Sequence, residues 1–131
     1  MTKKKQLKKN RPVDIDIIKY RLPINGIVSI LHRISGLLMI FFVGALLYIL
    51  DQSLSSPQLF NETKSIFQGL FTKVMLWIIC TTITYHSLGG IRHIIMDKGY
   101  IQEKNTGTIS GIIIMLATVV ISIMFGVKIW I

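Results

Sequence analysis

Two clusters of polar residues interrupt otherwise apolar stretches, and they are the places where this chain could do chemistry. Ser29, His32 and Arg33 are spaced i, i+3 and i+4, so they share one face of a helix. His86 and His93 are seven residues apart and again share a face. Ionisable side chains inside a membrane cost a few kcal/mol each, so they are functional candidates by default.

Histidine side chains within a membrane helix are candidate metal ligands, and these histidines fit haem iron better than zinc. Zinc takes four ligands, and few other donors are available near these histidines. His86 and His93 lie about 10.5 Å apart along one helix, whereas axial nitrogens bonded at about 2 Å lie about 4 Å apart. Only one of them can bind a given iron. With His86 as one axial ligand, the second is either His32 or a histidine of another chain.

The neighbouring cations suggest further contacts for such a site. Arg33, Arg92 and His93 could pair with haem propionates. Ser29 and Arg33 could hydrogen-bond a quinone carbonyl. Each of these residues also has a plainer interpretation. A lone histidine can simply form a hydrogen bond between helices. Arg92 and His93 lie near the cytoplasmic surface, where positive charge is tolerated, and Asp97 can be an ordinary helix-end residue.

The elements that must position these residues are membrane helices. The chain has 131 residues, of which 51% are hydrophobic, and its mean hydropathy is +0.59. Three apolar runs, about 23–50, 65–95 and 108–130, each exceed the roughly 20 residues needed to cross a bilayer. Residues 51–64 are predicted as an outside loop with room for a short interfacial helix. We therefore predict an all-α membrane protein with three transmembrane helices and one domain, residues 1–131.

The charge distribution predicts the orientation of these helices. The net charge is +9, and many lysines and arginines lie in a basic tail, residues 1–22, before the first span. The positive-inside rule explains this tail better than nucleic-acid binding does, and it places the N-terminus in the cytoplasm. Cys80 is the only cysteine, which excludes a disulfide within the chain.

Helical rise predicts that the two polar clusters lie at one depth. His32 is eight residues from Ile24, or about 12 Å into the membrane. His86 is nine residues from Ile95, or about 13.5 Å from the same cytoplasmic side. The outer half of all three spans has almost no polar groups, which argues against a channel or transporter subunit lined by Arg33 and His86.

The motifs resemble those of a known family. Arg11 and Pro12, residues 29–36 (SILHRISG) and residues 86–97 (HSLGGIRHIIMD) are similar to the cytochrome b556 membrane-anchor subunits of succinate dehydrogenase, respiratory complex II. The resemblance covers nearly the whole chain and is closest to the proteobacterial type.

The resemblance implies one haem b held between this chain and a second three-helix anchor subunit. His86 would be one axial ligand, and the second subunit would supply the other. It places His32 and Arg33 near the haem propionates, Ser29 and Arg33 in the ubiquinone site, and Asp97 near the quinone pocket. It also implies an iron–sulfur subunit and a flavoprotein subunit on the cytoplasmic face of the bacterial inner membrane. The chain alone would not be an enzyme. A fumarate reductase anchor and a haem-free structural or assembly anchor are the rival interpretations.

Overall fold

The computed structural model describes residues 22–101 and 103–131, and these residues form a helical bundle. The four helices are α1 (Ile24–Ser55), α2 (Pro57–Ile66), α3 (Leu70–Asp97) and α4 (Lys104–Trp130). Helices α1, α3 and α4 are long and apolar enough to cross a membrane. The predicted all-α class with three spans is therefore confirmed. The basic tail up to residue 21, with Arg11 and Pro12, lies outside the described residues.

Helix α1 is longer than its apolar run predicts. It begins after Pro23, whose φ of −64° suits the start of a helix. It has 32 residues, which is about 48 Å at helical rise and exceeds the roughly 30 Å hydrocarbon core. The predicted outside loop is itself mostly helical: α2 begins at Pro57, and Ser56 caps it by accepting a hydrogen bond from the Leu59 N–H at 3.1 Å.

The other two membrane helices differ from the predicted spans at their ends. Helix α3 begins at Leu70 rather than near 65, because Gly69 has an extended backbone (φ −69°, ψ 142°) that separates it from α2. It ends in a turn where Gly99 has a φ of 87°, a left-handed conformation that glycine adopts without strain. Helix α4 starts at Lys104, ahead of the predicted 108.

The three long helices pack through small and polar residues rather than a large apolar core. Among the described residues, Val28 and Ile114 are the only buried hydrophobic side chains. Gly107 and Gly111 of α4 face Asn25 and Val28 of α1 closely enough that an added Cβ would lie 3.0 Å and 3.2 Å from them. Small residues at contacts are typical of membrane helices, which leave their large apolar side chains to lipid.

A polar contact joins α3 to α4 in the half of the bundle nearer the C-terminus of α4. The Trp77 indole N–H donates to the Ser122 carbonyl at 2.8 Å, and the hydroxyls of Thr81 and Ser122 lie 2.7 Å apart. These hydrogen bonds give polar side chains the partners that lipid hydrocarbon cannot provide.

Arg92 joins all three membrane helices at the other end of the bundle. Its side chain is only 3% exposed. Nε donates to the Ser110 hydroxyl at 2.9 Å, and Nη2 donates to Asn25 Oδ1 and to the Gly107 carbonyl, both at 3.1 Å. Three neutral acceptors thus compensate a buried cation, whose charge would otherwise be costly to bury.

We predict that Arg92→Gln weakens the bundle, because a shorter, neutral amide cannot donate to Asn25, Ser110 and the Gly107 carbonyl at once. A loss of about 1–3 kcal/mol in the free energy of unfolding is expected, measured by titrating the chain in mixed micelles with dodecyl sulfate and following circular dichroism. Lys98→Gln, an exposed cation just after α3, is the matched control. Equal stability of the two variants would contradict the role of Arg92.

Candidate functional site

Three histidines meet between α1 and α3. The ring of His32, on α1, lies against two rings of α3. Its centroid is 4.3 Å from that of His86, with the rings 4° from parallel, and 4.9 Å from that of His93, with the rings tilted by 51°. We refer to His32, His86 and His93 as the histidine stack.

Reciprocal hydrogen bonds hold the first pair. His32 Nε2 lies 3.2 Å from the His86 carbonyl, and His86 Nδ1 lies 3.3 Å from the His32 carbonyl. A carbonyl oxygen can only accept, so each of these ring nitrogens donates a hydrogen. The Ser35 hydroxyl donates to the His32 carbonyl at 2.7 Å, and its oxygen is 3.1 Å from His86 Nδ1.

Glycines on the facing helices make room for both rings. A Cβ added to Gly36 of α1 would lie 2.9 Å from His86 Cε1. A Cβ added to Gly89 of α3 would lie 2.6 Å from His32 Cδ2, and one on Gly90 would lie 3.7 Å from His32 Nε2. Each histidine therefore occupies a space that exists because the opposite helix has a glycine there.

This arrangement defines what the histidine stack can bind. With its hydrogen on Nδ1, neutral His86 has its lone pair on Nε2, the form in which an imidazole binds a metal. The lone pairs of two stacked rings lie in parallel planes and do not point toward each other. Two axial ligands on opposite sides of one iron must direct their lone pairs toward each other. In this arrangement His32 and His86 cannot bind one iron from opposite sides. Among the described residues, no group of three or more His, Cys, Asp or Glu could hold a metal ion by itself.

The remaining predicted site residues are not all near the stack. Ser29 is half-buried and Arg33 is exposed, one turn apart on α1. Asp97 is exposed at the end of α3. Arg92, predicted on the propionate side, has its guanidinium between α1 and α4, where it donates to Asn25, Ser110 and the Gly107 carbonyl.

Comparison with known proteins places the chain in a family. A family model described as the succinate dehydrogenase/fumarate reductase transmembrane subunit matches residues 7–125. The chain belongs to this family. The resemblance found in the motifs is thereby confirmed, and the chain is a membrane-anchor subunit of the succinate dehydrogenase/fumarate reductase type.

Curated relatives of this anchor subunit cover most of its length. The succinate dehydrogenase cytochrome b556 subunit of Coxiella burnetii is 30% identical over 121 residues, which is 92% of this chain and 97% of the relative. The cytochrome b560 subunit of Reclinomonas americana is 30% identical, covering 81% of this chain and 77% of the relative. The cytochrome b556 subunit of Paracoccus denitrificans is 27% identical, covering 88% of each chain.

Sequence reasoning assigned no role to three polar residues of the anchor subunit. Ser35 contacts His86, Asn25 accepts from Arg92, and the Tyr85 hydroxyl donates to the Val28 carbonyl at 2.9 Å. Ser35 carried a usable signal, because it lies three residues after His32 and next to Gly36. Asn25 and Tyr85 depend on which helices are neighbours, and spacing along one helix does not predict that.

We predict that Gly89→Ala destabilises this anchor subunit, because the new methyl group would overlap the His32 ring, which hydrogen bonding and stacking hold in place. The expected loss is about 1–3 kcal/mol in the same micelle unfolding assay. Gly44→Ala on α1 is the control, since no heavy atom lies within 4 Å of an added Cβ there; alanine should stabilise that position by up to about 1 kcal/mol. Similar effects at both glycines would argue against the close contact.

Proposed function

We propose that this chain is the membrane anchor of a succinate dehydrogenase, that it holds one haem b together with a second anchor subunit, and that it forms part of the ubiquinone-reduction site. The observation that carries the proposal is the state of His86, whose Nδ1 is hydrogen-bonded to α1 while Nε2 has no partner among the described residues. The names of the relatives, cytochrome b556 and b560 subunits of succinate dehydrogenase, support it.

His86 suits the role of axial ligand by its chemistry. Histidine that ligates a metal usually donates its other ring N–H to a carbonyl or similar acceptor, as His86 does to His32. Bound haem supplies one-electron redox chemistry. The contribution of this chain is to present Nε2 with a free lone pair, at an angle set by the flat contact with His32.

The second axial ligand comes from the partner anchor subunit. The parallel stacking of His32 on His86 supports this choice over His32. His93 is too far along α3 for the same iron. A haem held in this way requires both anchor subunits, so the isolated chain is only half of the binding site.

Arg33, His32 and His93 are our candidates for the propionate side. Arg33 is exposed and free to pair with a carboxylate. His32 keeps Nδ1 available, because its bond to the His86 carbonyl uses Nε2. Arg92 is better assigned to helix packing, since two of its nitrogens already donate to three acceptors.

Ser29 and Arg33 form our candidate ubiquinone contact, with Asp97 near the pocket. The two α1 residues lie one turn apart and face out of the bundle or to its edge, where a quinone or a partner subunit can reach them. Electrons from succinate would arrive through a flavoprotein and an iron–sulfur subunit docked on the cytoplasmic side of the bacterial inner membrane. The chain contributes to this oxidoreductase without catalysing succinate oxidation itself.

A haem-free structural anchor is the second candidate function. It is favoured by one observation: the ring contacts within the histidine stack already join α1 to α3 without any cofactor. A fumarate reductase anchor belongs to the same family and would work with the opposite direction of electron flow.

His86→Ala should abolish the bis-histidine haem spectrum when the chain is co-produced with its partner subunits. The reduced-minus-oxidised absorbance and the low-spin ferric EPR signal of the purified complex are the measurements. His93→Ala is the matched control, one histidine of the same helix face, and should keep the low-spin signal. An unchanged spectrum in His86→Ala would refute the ligand assignment, and a wild-type complex without any haem absorbance would favour the haem-free anchor.

Arg33→Leu should weaken quinone reduction while leaving succinate oxidation by artificial electron acceptors intact, because the flavin and cluster subunits do not depend on this side chain. We expect a drop of at least tenfold in quinone-linked turnover, in line with the loss of one charge-assisted hydrogen bond of about 1.5–3 kcal/mol. Lys73→Leu removes a cation near the other end of the membrane helices and serves as the control. Normal quinone turnover in Arg33→Leu would exclude this role.

A further inference from the structure

Among the described residues, Ser35 is the hydroxyl side chain that contacts the ring of His86. Thr82, Thr84 and Thr118 donate only to a carbonyl one turn earlier in their own helix, as serine and threonine commonly do in helices. Ser35 makes the same kind of bond, to the His32 carbonyl, and in addition lies 3.1 Å from His86 Nδ1 on the neighbouring helix. It is also buried, with 6% of its surface exposed.

The direction of each bond follows from the available hydrogens. The Ser35 hydrogen is used on the His32 carbonyl, the shorter contact at 2.7 Å. Its oxygen then has lone pairs free to accept from His86. The His86 N–H at Nδ1 is therefore shared between two acceptors of α1, the Ser35 hydroxyl at 3.1 Å and the His32 carbonyl at 3.3 Å.

We propose that Ser35 is the positioning residue of His86: with the His32 carbonyl, its hydroxyl oxygen holds the hydrogen of the neutral imidazole on Nδ1 and leaves the lone pair on Nε2. This inference rests on the proposed function only for its consequence at the haem. The preference for one tautomer concerns this chain by itself.

The pair of histidines provides an internal contrast. His32 donates from Nε2 to the His86 carbonyl, so its hydrogen is on the opposite nitrogen. Two rings stacked 4.3 Å apart thus carry opposite tautomers, each selected by a main-chain oxygen of the facing helix. The Ser35 hydroxyl acts on His86 alone.

In the complex, Ser35 would tune the ligand strength of His86. An acceptor on the outer N–H raises the basicity of a ligating imidazole, and a more basic ligand favours ferric over ferrous iron. Loss of the Ser35 oxygen leaves the longer bond to the His32 carbonyl as the remaining one. The ferric state should then be less favoured and the midpoint potential should rise.

The first test needs no haem. The full chain with ¹⁵N-labelled histidine is studied in micelles by NMR, at a pH where its imidazoles are neutral. The nitrogen shifts should show hydrogen on Nδ1 for His86 and on Nε2 for His32. In Ser35→Ala the His86 population should move toward Nε2–H, while His32 stays unchanged. A wild-type His86 that is predominantly Nε2–H would overturn the inference, as would a His86 population that Ser35→Ala leaves unchanged.

The second test uses the assembled complex. Ser35→Ala should raise the midpoint potential of the haem, changing the ferric-to-ferrous ratio at fixed potential by up to roughly tenfold, which is about 59 mV for one electron, and should shift the low-spin EPR signal. Ser35→Thr keeps a hydroxyl that can bond the same carbonyl and should restore the wild-type values. Ser122→Ala is the matched control, another buried serine that bonds across a helix contact, to Thr81.

The outcomes separate this inference from the proposed function. If His86→Ala keeps the normal haem spectrum, the proposed ligand is wrong. If His86→Ala loses it while Ser35→Ala matches Ser122→Ala in potential and EPR signal, only the positioning role of Ser35 is wrong. Should Ser35→Ala fail to assemble, a Ser35→Thr complex with a potential unlike the wild type would still contradict it.

Discussion

A polar group inside a bilayer has to find its hydrogen-bond partner within the protein, and this constraint shapes the whole bundle. The clearest case is the exchange between His32 and His86, in which each ring donates to the main-chain carbonyl of the other residue. The helices can approach closely enough for this exchange because Gly36 and Gly89 lack side chains. Fully buried apolar side chains are few by comparison: among the described residues they are Val28 and Ile114, and many other large apolar side chains are exposed.

The polar residues divide into two groups with different roles. Arg92, with Asn25, Ser110 and Gly107, joins the three membrane helices through three hydrogen bonds from two of its nitrogens. The histidine stack joins only α1 and α3, and it leaves ring nitrogens available to a ligand. An arginine and a histidine adjacent in the sequence thus belong to separate structures.

Much of the fold could be predicted from the sequence, because long apolar runs have few alternatives to membrane helices. The helix ends were less predictable: the run near 65 gave no sign that Gly69 would separate α2 from α3. At the site, rise per residue placed His32 and His86 at the same depth, and in the structure their rings are in contact. The contacts of Arg92 could not be predicted from sequence spacing. Spacing shows which residues share a helix face, but it does not show which neighbouring helix that face contacts.

The reciprocal exchange between His32 and His86 has a mechanical consequence. The two donors and two acceptors belong to only two residues, one on each helix, so sliding α1 along α3 by even part of a turn breaks both bonds together. The glycine gaps add a steric barrier to the same movement. The contact therefore fixes the register of the two helices. Any displacement of one helix along the other would also change the position of a ligand bound at His86.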